Sequence, residues 1–331
     1  MLIRNTESDV RGESTGVVVT AGEALLRLAT PAGQRLSDAP SLDVHVAGAE
    51  ANVAAGLARL GVPTRWVSRL PDSALGRRAA AALADAGVIL DAVEWAHDGR
   101  VGLFFSDTGA GARPTTVLYD RAASAFTALR TPPAGALTGA RLLHLTGITA
   151  ALGMRELLDA LLAEAARSAV PVCVDVNHRA LLWSATEARE GLTPLLAAAE
   201  IVVCAERDAR AVLDLGGEPE ALLNGLRDRW APRAQTLVLT RGAAGAVALD
   251  ADGQVCEQPA IPTATIDRFG MGDAFVAGLL WGLLAQEPLP FALRAGATLA
   301  ALKATVDGDL SRTDANELRA ALRSQPEGIV R

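Results

Sequence analysis

The most informative segment of the chain is Asp267-Arg268-Phe269-Gly270-Met271-Gly272-Asp273, and an apolar run from Ala274 to Leu284 follows it directly. The run predicts a buried helix. Glycines where a helix begins allow backbone N–H groups to approach an anion closely, and the helix dipole adds positive potential there. A phosphate suits that position, and Asp273 beside it could accept a proton from a hydroxyl that attacks the phosphate. The pattern therefore indicates phosphoryl transfer to an alcohol, although aspartate at a helix entrance is also a common N-cap.

Composition limits the classes of protein to which the chain can belong. Its 331 residues are 50% hydrophobic, which suffices for one large α/β domain or two smaller ones. A formal net charge of -7 argues against a nucleic-acid surface, which requires a basic face. No apolar stretch reaches transmembrane length, so no membrane association is expected. Residues 1–15 are polar, lack the apolar core of a signal peptide and are predicted to form a disordered tail.

Cysteine, lysine and histidine usage excludes several mechanisms. Three widely spaced cysteines indicate buried free thiols and a reducing compartment, hence a cytoplasmic location. Lys303 is the single lysine beside thirty arginines, and its neighbours Leu302 and Ala304 exclude a P-loop. Phe275 stands where a Gly-x-Gly-x-x-Gly motif beginning at Gly270 would need its third glycine. The four scattered histidines form no zinc pattern, and no metal ligand is assigned.

Strands and helices alternate along most of the chain. Wholly apolar strands such as the one at residues 172–176 are typical of a parallel sheet covered by helices on both faces. We therefore predict a single domain over residues 16–326, a three-layer α/β/α structure with a mainly parallel central sheet. The predicted strands are 17–20, continued by 23–29 after a break at Gly22, then 65–68, 93–95, 142–145, 172–176, 201–204, 236–240 and 246–249.

Two segments, about residues 32–48 and 98–124, interrupt this alternation. Ser41 to Val46 alternates polar and apolar residues, and Val101 to Tyr119 carries two extended runs, which predicts a small half-exposed antiparallel sheet. Ligands of parallel α/β folds bind beyond the carboxyl ends of the strands. A small sheet over that edge is predicted to act as a lid that excludes water. Exposed strand edges tend to find partners, so a homo-oligomer formed through the lid is also predicted.

With these parts together, the chain resembles the ribokinase-like (PfkB) sugar kinase family over about residues 16–325. The stretch ending at Asp273 is similar to the family's Asp-Thr-x-Gly-Ala-Gly-Asp signature. The N-terminal family signature is matched by Gly48-Ala49-Glu50-Ala51-Asn52-Val53-Ala54, which leads into Gly56-Leu57-Ala58-Arg59-Leu60-Gly61. Further details resemble the 2-keto-3-deoxygluconate kinase subgroup, namely Gly22-Glu23, Leu26-Arg27-Leu28, Arg113-Pro114, Tyr119-Asp120-Arg121, Asp175-Val176-Asn177-His178-Arg179, Leu182-Trp183, Ala301-Leu302-Lys303 and Gly308-Asp309.

The resemblance implies an ATP-dependent, Mg²⁺-assisted kinase that phosphorylates the terminal hydroxyl of 2-keto-3-deoxygluconate to the 6-phosphate. Asp273 would be the general base, and the backbone N–H groups of Gly270, Met271 and Gly272 would form the anion hole for the transferring phosphoryl group. Met271 replaces a small residue of the family, which a backbone donor tolerates.

The resemblance also implies the positions that bind the two substrates. Arginines suit the carboxylate of a sugar acid, because a guanidinium can bind it at two points. The implied sugar-binding residues are Gly22, Gly48, Asn52, Phe104, Tyr119, Arg121, Arg179 and Asp309. The implied nucleotide-binding residues are Thr240, Gly242, Gly245 and Asp208.

Two departures from the family pattern keep alternatives open. Phe104 stands where the subgroup often has a tyrosine, which favours a neutral ketose or a nucleoside as acceptor. Ala205-Glu206-Arg207-Asp208 replaces the family's Asn-x-x-Glu, which bears on how Mg²⁺ is organised and favours a catalytically silent sugar-binding relative. Mg²⁺ can, however, be held mainly by ATP phosphates and water.

Overall fold

The computed structural model describes residues 16–107, 109 and 113–323. The predicted N-terminal tail, residues 108 and 110–112 of the predicted lid and residues 324–326 of the predicted domain lie outside the described residues. The strands found in the described residues are β1 (Val17–Ala21), β2 (Leu25–Ala29), β3 (Asp43–Ala47), β4 (Thr64–Pro71), β5 (Val93–Ala96), β6 (Gly102–Asp107), β7 (Thr116–Asp120), β8 (Ala140–Thr146), β9 (Val172–Asp175), β10 (Ile201–Ala205), β11 (Thr236–Thr240), β12 (Ala246–Leu249) and β13 (Val255–Gln258).

The α-helices of the same residues mostly alternate with the strands. They are α1 (Ala49–Arg59), α2 (Ala74–Asp85), α3 (Gly147–Ala151), α4 (Arg155–Arg167), α5 (Ala185–Ala198), α6 (Glu206–Ala211), α7 (Pro219–Arg229), α8 (Met271–Leu284), α9 (Leu289–Ala304) and α10 (Ala315–Arg323).

The larger sheet has the strand order β13-β12-β11-β10-β9-β8-β1-β4-β5. Strands from β11 through β5 in this order pair in parallel, whereas β12 and β13 at one end pair antiparallel. The sheet is therefore mainly parallel, as predicted. Its strands are apolar on both sides because helices cover both faces.

An apolar core lies between each face of the larger sheet and the helices that pack on it. On one face, leucines of α4, α5 and α7 pack against β8 to β11. On the other face, α1, α8, α9 and α10 pack against alternate residues of the same strands. Helix α8 is apolar around nearly its whole circumference, because it lies between the sheet, α1 and α9 and buries every side.

The smaller sheet has the order β3-β2-β6-β7 and includes the two predicted lid segments only in part. The prediction that residues 23–29 continue the first strand was wrong. The chain leaves the larger sheet after Ala21, and β2 pairs with β3 and β6 in the smaller sheet. The physical reason is tertiary packing on both faces of β2, because Leu25 joins a small apolar cluster with Phe104 and Leu26 joins the core that contains Trp66. Of the segment 32–48, only its end forms a strand.

Candidate active site

A cavity of about 520 Å³ opens where the carboxyl ends of β9, β10 and β11 meet the smaller sheet and the start of α8. This is the edge at which parallel α/β folds bind ligands. Residues predicted for the site that line the cavity are Gly48, Asn52, Phe104, Tyr119, Arg121, Arg179, Asp208, Thr240, Gly270, Gly272, Asp273 and Asp309. Met271 and three further predicted residues, Gly22, Gly242 and Gly245, do not line it.

Helix α8 begins at the cavity with a left-handed residue. Gly270 has φ 76°, and a methyl group there would lie 1.9 Å from the carbonyl oxygen of Asp309. Only glycine satisfies both conditions. Gly272, two residues further along the chain, is exposed, and a side chain at this position would have open space around it. The helix N-terminus, with its unpaired N–H groups and positive dipole end, is therefore open to an anion.

Asp273 lies in the first turn of α8 with its side chain buried. Asn52 Nδ2 donates a hydrogen bond of 2.6 Å to Asp273 Oδ2, which joins the two family-like motifs in one contact. Burial raises the pKa of Asp273, while the Asn52 hydrogen bond and the positive charges of Arg179 and Lys303 act in the opposite direction. A carboxylate of raised basicity therefore stands beside an anion-binding helix end.

Glu50 explains why residue 22 is a glycine. Its Oε1 accepts hydrogen bonds from the hydroxyls of Thr146 (2.7 Å) and Thr149 (2.6 Å), and its side chain fills the space in which a methyl group on Gly22 would lie 2.2 Å from Oε2. Burial raises the pKa of Glu50. Gly22 thus makes room for a buried carboxyl group that lines the cavity.

Aromatic residues from the smaller sheet and from the loop before α8 form one side of the cavity. Phe104 is adjacent to Tyr119 and to Phe269, with ring centroids 5.8 Å apart in both pairs. Arg121 lies below Tyr119 but is engaged by a buried ion pair with Glu23, to which its Nε donates at 3.0 Å. The predicted positive charge of Arg121 is consequently neutralised within the protein itself.

Three polar residues, one at the end of β9 and two just after it, line the cavity. Asn177 donates from its backbone and side chain to Asp175, both at 3.1 Å, and this turn directs the following residues toward the site. Burial, with the negative charge of Asp273 as the next cause, raises the pKa of Asp175 to about 7. Arg179 is half-buried and makes no ion pair with any residue within the described ranges. Its guanidinium is thus free for a ligand.

Beneath the cavity floor, Arg27 connects the smaller sheet with the loop before α8. Its guanidinium forms a two-point contact with Asp267 and an ion pair of 2.9 Å with Asp309, and it lies 4.4 Å from the Phe269 ring centroid. Burial raises the pKa of Asp309 to about 7, against the lowering effect of Arg27. Asp309 is therefore a buried network member at the cavity surface and not a solvated loop residue.

Two of the four residues predicted to bind the nucleotide lie at the cavity. Thr240 and Asp208 line the cavity, and Gly242 begins a 3₁₀ turn just after β11. Gly245 has a structural cause, because a methyl group there would lie 2.0 Å from the carbonyl oxygen of Gln258 on the paired strand. Ala205 caps α6 without a side-chain hydrogen bond.

The described residues include no group of three or more histidine, cysteine or acidic side chains arranged to hold a metal ion. The cavity wall nevertheless carries the carboxylates of Asp175 and Asp208 near the start of α8. Oxygen donors of this kind suit Mg²⁺ that arrives with phosphate and water ligands of its own. The chemistry of the donor set therefore fits a nucleotide-bound Mg²⁺.

Some residues that build the site were not assigned a role from the sequence, among them Glu23, Arg27, Glu50 and Asp175. Glu50 carried a usable signal, because a charged residue within an otherwise apolar helical segment must find buried partners. The Glu23–Arg121 pairing joins residues 98 positions apart, and nothing local in the sequence marks it.

A sequence model described as "pfkB family carbohydrate kinase" matches residues 17–315. The chain belongs to this family. As a pfkB-family carbohydrate kinase it is an enzyme, and the predicted family and enzyme class are confirmed. In the described residues, none of the helices has the length and apolar character that crossing a membrane requires.

Named relatives of this pfkB-family kinase include proteins of known structure or curated activity. A 2-dehydro-3-deoxygalactonokinase of Haloferax volcanii is 41% identical over 321 residues, which cover 96% of this chain and 100% of the relative. The structure of the 2-dehydro-3-deoxygluconokinase of Thermotoga maritima is 31% identical, with a TM-score of 0.86, covering 93% and 99%. A PfkB family carbohydrate kinase of Listeria grayi is 29% identical, with a TM-score of 0.84, covering 92% and 99%. The predicted ribokinase-like α/β fold is thereby confirmed.

Proposed function

We propose that the enzyme is an ATP-dependent kinase of 2-keto-3-deoxy sugar acids that phosphorylates the terminal hydroxyl. The single observation that carries the proposal is Asp273, a buried carboxylate that Asn52 orients at the open N-terminus of α8. A base within reach of an anion-binding helix end is the arrangement that transfer of a phosphoryl group to a hydroxyl requires.

In the proposed reaction, Asp273 accepts the proton of the terminal hydroxyl as that oxygen forms its bond to the γ-phosphorus and the bond to the ADP oxygen breaks. The N–H groups of Gly270, Met271 and Gly272 donate to the equatorial oxygens of the transferring group. Thr240, Gly242 and Asp208 lie on the nucleotide side, while Gly245 contributes through the backbone turn. Mg²⁺, when bound, neutralises phosphate charge. Asp175 and Asp208 are the side chains that would hold it.

Arg179 supports a sugar acid as the acceptor. It is the unpaired arginine that follows β9 into the cavity, whereas Arg121 is held by Glu23. An acid brings a carboxylate that Arg179 can bind with charge-assisted hydrogen bonds. The names of the Haloferax volcanii and Thermotoga maritima relatives point to the same substrate class and to two members of it, which differ in configuration at one carbon.

The experiment that tests the proposal is ADP release with Mg-ATP and a panel of acceptors. The panel holds 2-keto-3-deoxygluconate, 2-keto-3-deoxygalactonate, fructose, ribose and adenosine. Turnover confined to the two keto-deoxy acids supports the proposal, and the ratio of their kcat/KM values identifies the preferred epimer. Turnover on fructose, ribose or adenosine alone would contradict the assignment of a sugar acid as the acceptor, but the assignment of kinase activity would stand.

One observation favours a neutral acceptor as the second candidate. Phe104, Tyr119 and Phe269 give the cavity an apolar wall, and the Glu23–Arg121 pair leaves no net charge on that side. A ketose or nucleoside would fit such a wall without needing a cation. The acceptor panel separates this candidate from the first.

Replacing Arg179 with methionine is expected to raise KM for the keto-deoxy acid by about 10- to 100-fold, the size of a lost charge-assisted hydrogen bond. The value of kcat should fall much less, because the carboxylate is bound equally in the ground and transition states. Steady-state kinetics measure both constants. Arg167→Met, an exposed position at the end of α4, is the matched control and should leave them unchanged. An unchanged KM in Arg179→Met would remove this residue from the substrate site.

The pH dependence of kcat/KM provides a separate prediction. Burial raises the pKa of Asp273, so the base is protonated to a higher pH than an ordinary aspartate. The rate is therefore expected to decline as pH falls through that raised pKa, by about tenfold per pH unit on the acid side. Initial rates in buffers of constant ionic strength measure the profile. A rate that stays constant down to the usual pKa of aspartate, near 3.8, would contradict the assignment of the base.

The lid function and the homo-oligomer stay predictions. A row of apolar side chains, Leu28, Phe105 and Leu118, crosses in register the face of the smaller sheet opposite to Phe104 and Tyr119. Leu118 is 57% exposed. This row supports a contact with a second copy of the chain, and sedimentation velocity would test it.

A further inference from the structure

Lys303, the single lysine of the chain, is fully buried in the last turn of α9. Its Nζ donates to the backbone carbonyl oxygens of Asp267 (3.3 Å) and Val306 (3.2 Å). A buried ammonium group is costly unless polar and charged partners surround it. This group has a place in the structure that an apolar side chain could not take without leaving two carbonyl oxygens unpaired.

The two carbonyl oxygens belong to two segments that are hydrogen-bonded to each other. The backbone N–H groups of Ile266 and Asp267 donate to the Ala304 carbonyl at 2.8 and 3.2 Å. In the return direction, the Gly308 N–H donates to Asp267 Oδ2 at 3.0 Å. The Phe269 N–H also donates to Asp267 Oδ1 at 3.0 Å. Lys303 therefore stands at the junction of the loop that leads into α8 and the segment 304–309.

The same junction sets the start of α8. Gly270 approaches the Asp309 carbonyl so closely that no side chain would fit between them. Segment 304–309 therefore packs directly against Gly270, the residue at which the helix begins. The Lys303 ammonium is hydrogen-bonded to both segments that meet at this helix entrance.

We propose that Lys303 is a positioning residue, a built-in cation that fixes the loop 267–270 so that the N-terminus of α8 presents its N–H groups to the transferring phosphoryl group. The proposal rests on the proposed kinase function. Lys303 does not touch the substrate. It acts through the carbonyl oxygens of Asp267 and Val306.

The charge of Lys303 also reaches the general base. It acts to lower the pKa of Asp273, against the larger effect of burial. Burial lowers the pKa of Lys303 itself, and carboxylates around it act in the opposite direction. The charged and titratable groups that face this cluster come from several elements, and they are Arg27, His45, Asp267, Asp273, Asp307 and Asp309.

The test uses the full-length enzyme with Lys303→Ala and Lys303→Met. A misplaced phosphoryl-binding helix end is expected to lower kcat by about 100-fold in both variants, with a smaller change in KM for the sugar. Ammonium or methylammonium chloride is expected to restore part of kcat in Lys303→Ala, where the small cation can occupy the vacated space. Choline chloride of equal ionic strength should restore nothing, and neither should ammonium in Lys303→Met, whose side chain fills the space.

Two further readouts separate positioning from simple loss of packing. The acid limb of the kcat/KM profile should move to higher pH in Lys303→Met, because a positive charge near Asp273 is removed. Ammonium should also raise the Tm of Lys303→Ala but not that of the unmodified enzyme, a measurement that needs no activity. Leu299→Ala, a fully buried position in the same helix, is the matched control and should respond to no cation.

Two results would overturn the proposal. The first is a wild-type kcat in both variants. The second is a loss of kcat in Lys303→Ala that no cation relieves, together with an acid limb of the pH profile that does not move in Lys303→Met. If Lys303→Ala does not fold, the pH limb of Lys303→Met decides alone. If the unmodified enzyme phosphorylates no acceptor, the proposed function fails, and the Tm response to ammonium still decides whether position 303 is a cation site.

Discussion

Asp273→Asn is expected to lower kcat by about 10²- to 10⁴-fold, the range that loss of a general base produces. The amide keeps the size of the side chain and can still accept the Asn52 hydrogen bond through its oxygen, but it cannot take a proton from the attacking hydroxyl. Binding of both substrates should persist, so KM should change little. ADP release with a keto-deoxy acid under saturating conditions measures the effect.

Stability measurements on the same variant exclude unfolding as the cause. Burial raises the folded-state pKa of Asp273, so its charged form disfavours folding, and this cost is fully present at pH values above that pKa. Removing the charge should leave the Tm near pH 8 equal or higher. Asp85→Asn, at the end of α2, is the matched control, because this side chain is 79% exposed and should tolerate the change. A wild-type kcat in Asp273→Asn would transfer the role of base to another buried carboxyl group, Asp175 or Glu50.

The sequence predicted the centre of the site because its constraints are local. A glycine with a left-handed backbone at residue 270, an aspartate three positions later and an apolar helix are consecutive in the chain, and the structure shows Gly270 and Asp273 at the cavity. The resemblance implied that both motifs contribute to one site, without implying a contact between Asn52 and Asp273. Their hydrogen bond is a finding of the structure.

The sequence could not predict which arginine is free to bind a ligand. Arg121 and Arg179 have similar polar surroundings in the sequence, yet a buried partner far along the chain engages the first. The same limit applies to glycines. Gly22 and Gly245 are glycines because Glu50 and the Gln258 carbonyl occupy the adjacent space, and a tertiary contact of this kind leaves no trace in local spacing.

The assignment of β2 failed for a related reason. An apolar β-branched strand followed by a glycine break and a second apolar run is compatible with one interrupted strand or with two strands in different sheets. Length and alternation are the same in both cases. The pairing of β2 with β3 and β6 decides the matter, and pairing partners are nonlocal.

Arg27→Met is expected to destabilise the folded enzyme by about 3–5 kcal/mol, because it leaves buried carboxylates without their cation. Arg27 is 1% exposed and serves both Asp267 and Asp309. Urea unfolding at pH 7.5 measures the change. Arg155→Met, which breaks the exposed pair with Asp159, is the matched control and should cost less than about 0.5 kcal/mol.

A pH series distinguishes lost charge compensation from lost packing. Burial alone would raise the pKa of Asp267, but the hydrogen bond and charge of Arg27, together with the Phe269 N–H hydrogen bond and the charge of Lys303, more than offset it, so the folded-state pKa is lowered. That contribution to stability is fully present above the unfolded-state pKa of aspartate and is lost as pH falls through the lower folded-state value. The difference between Arg27→Met and the unmodified enzyme should therefore shrink in acid. The double variant Arg27→Met/Asp267→Asn should also be more stable than Arg27→Met at pH 7.5, because it removes one of the uncompensated charges. Equal destabilisation at every pH would instead assign the whole effect to packing of the Arg27 side chain against Phe269.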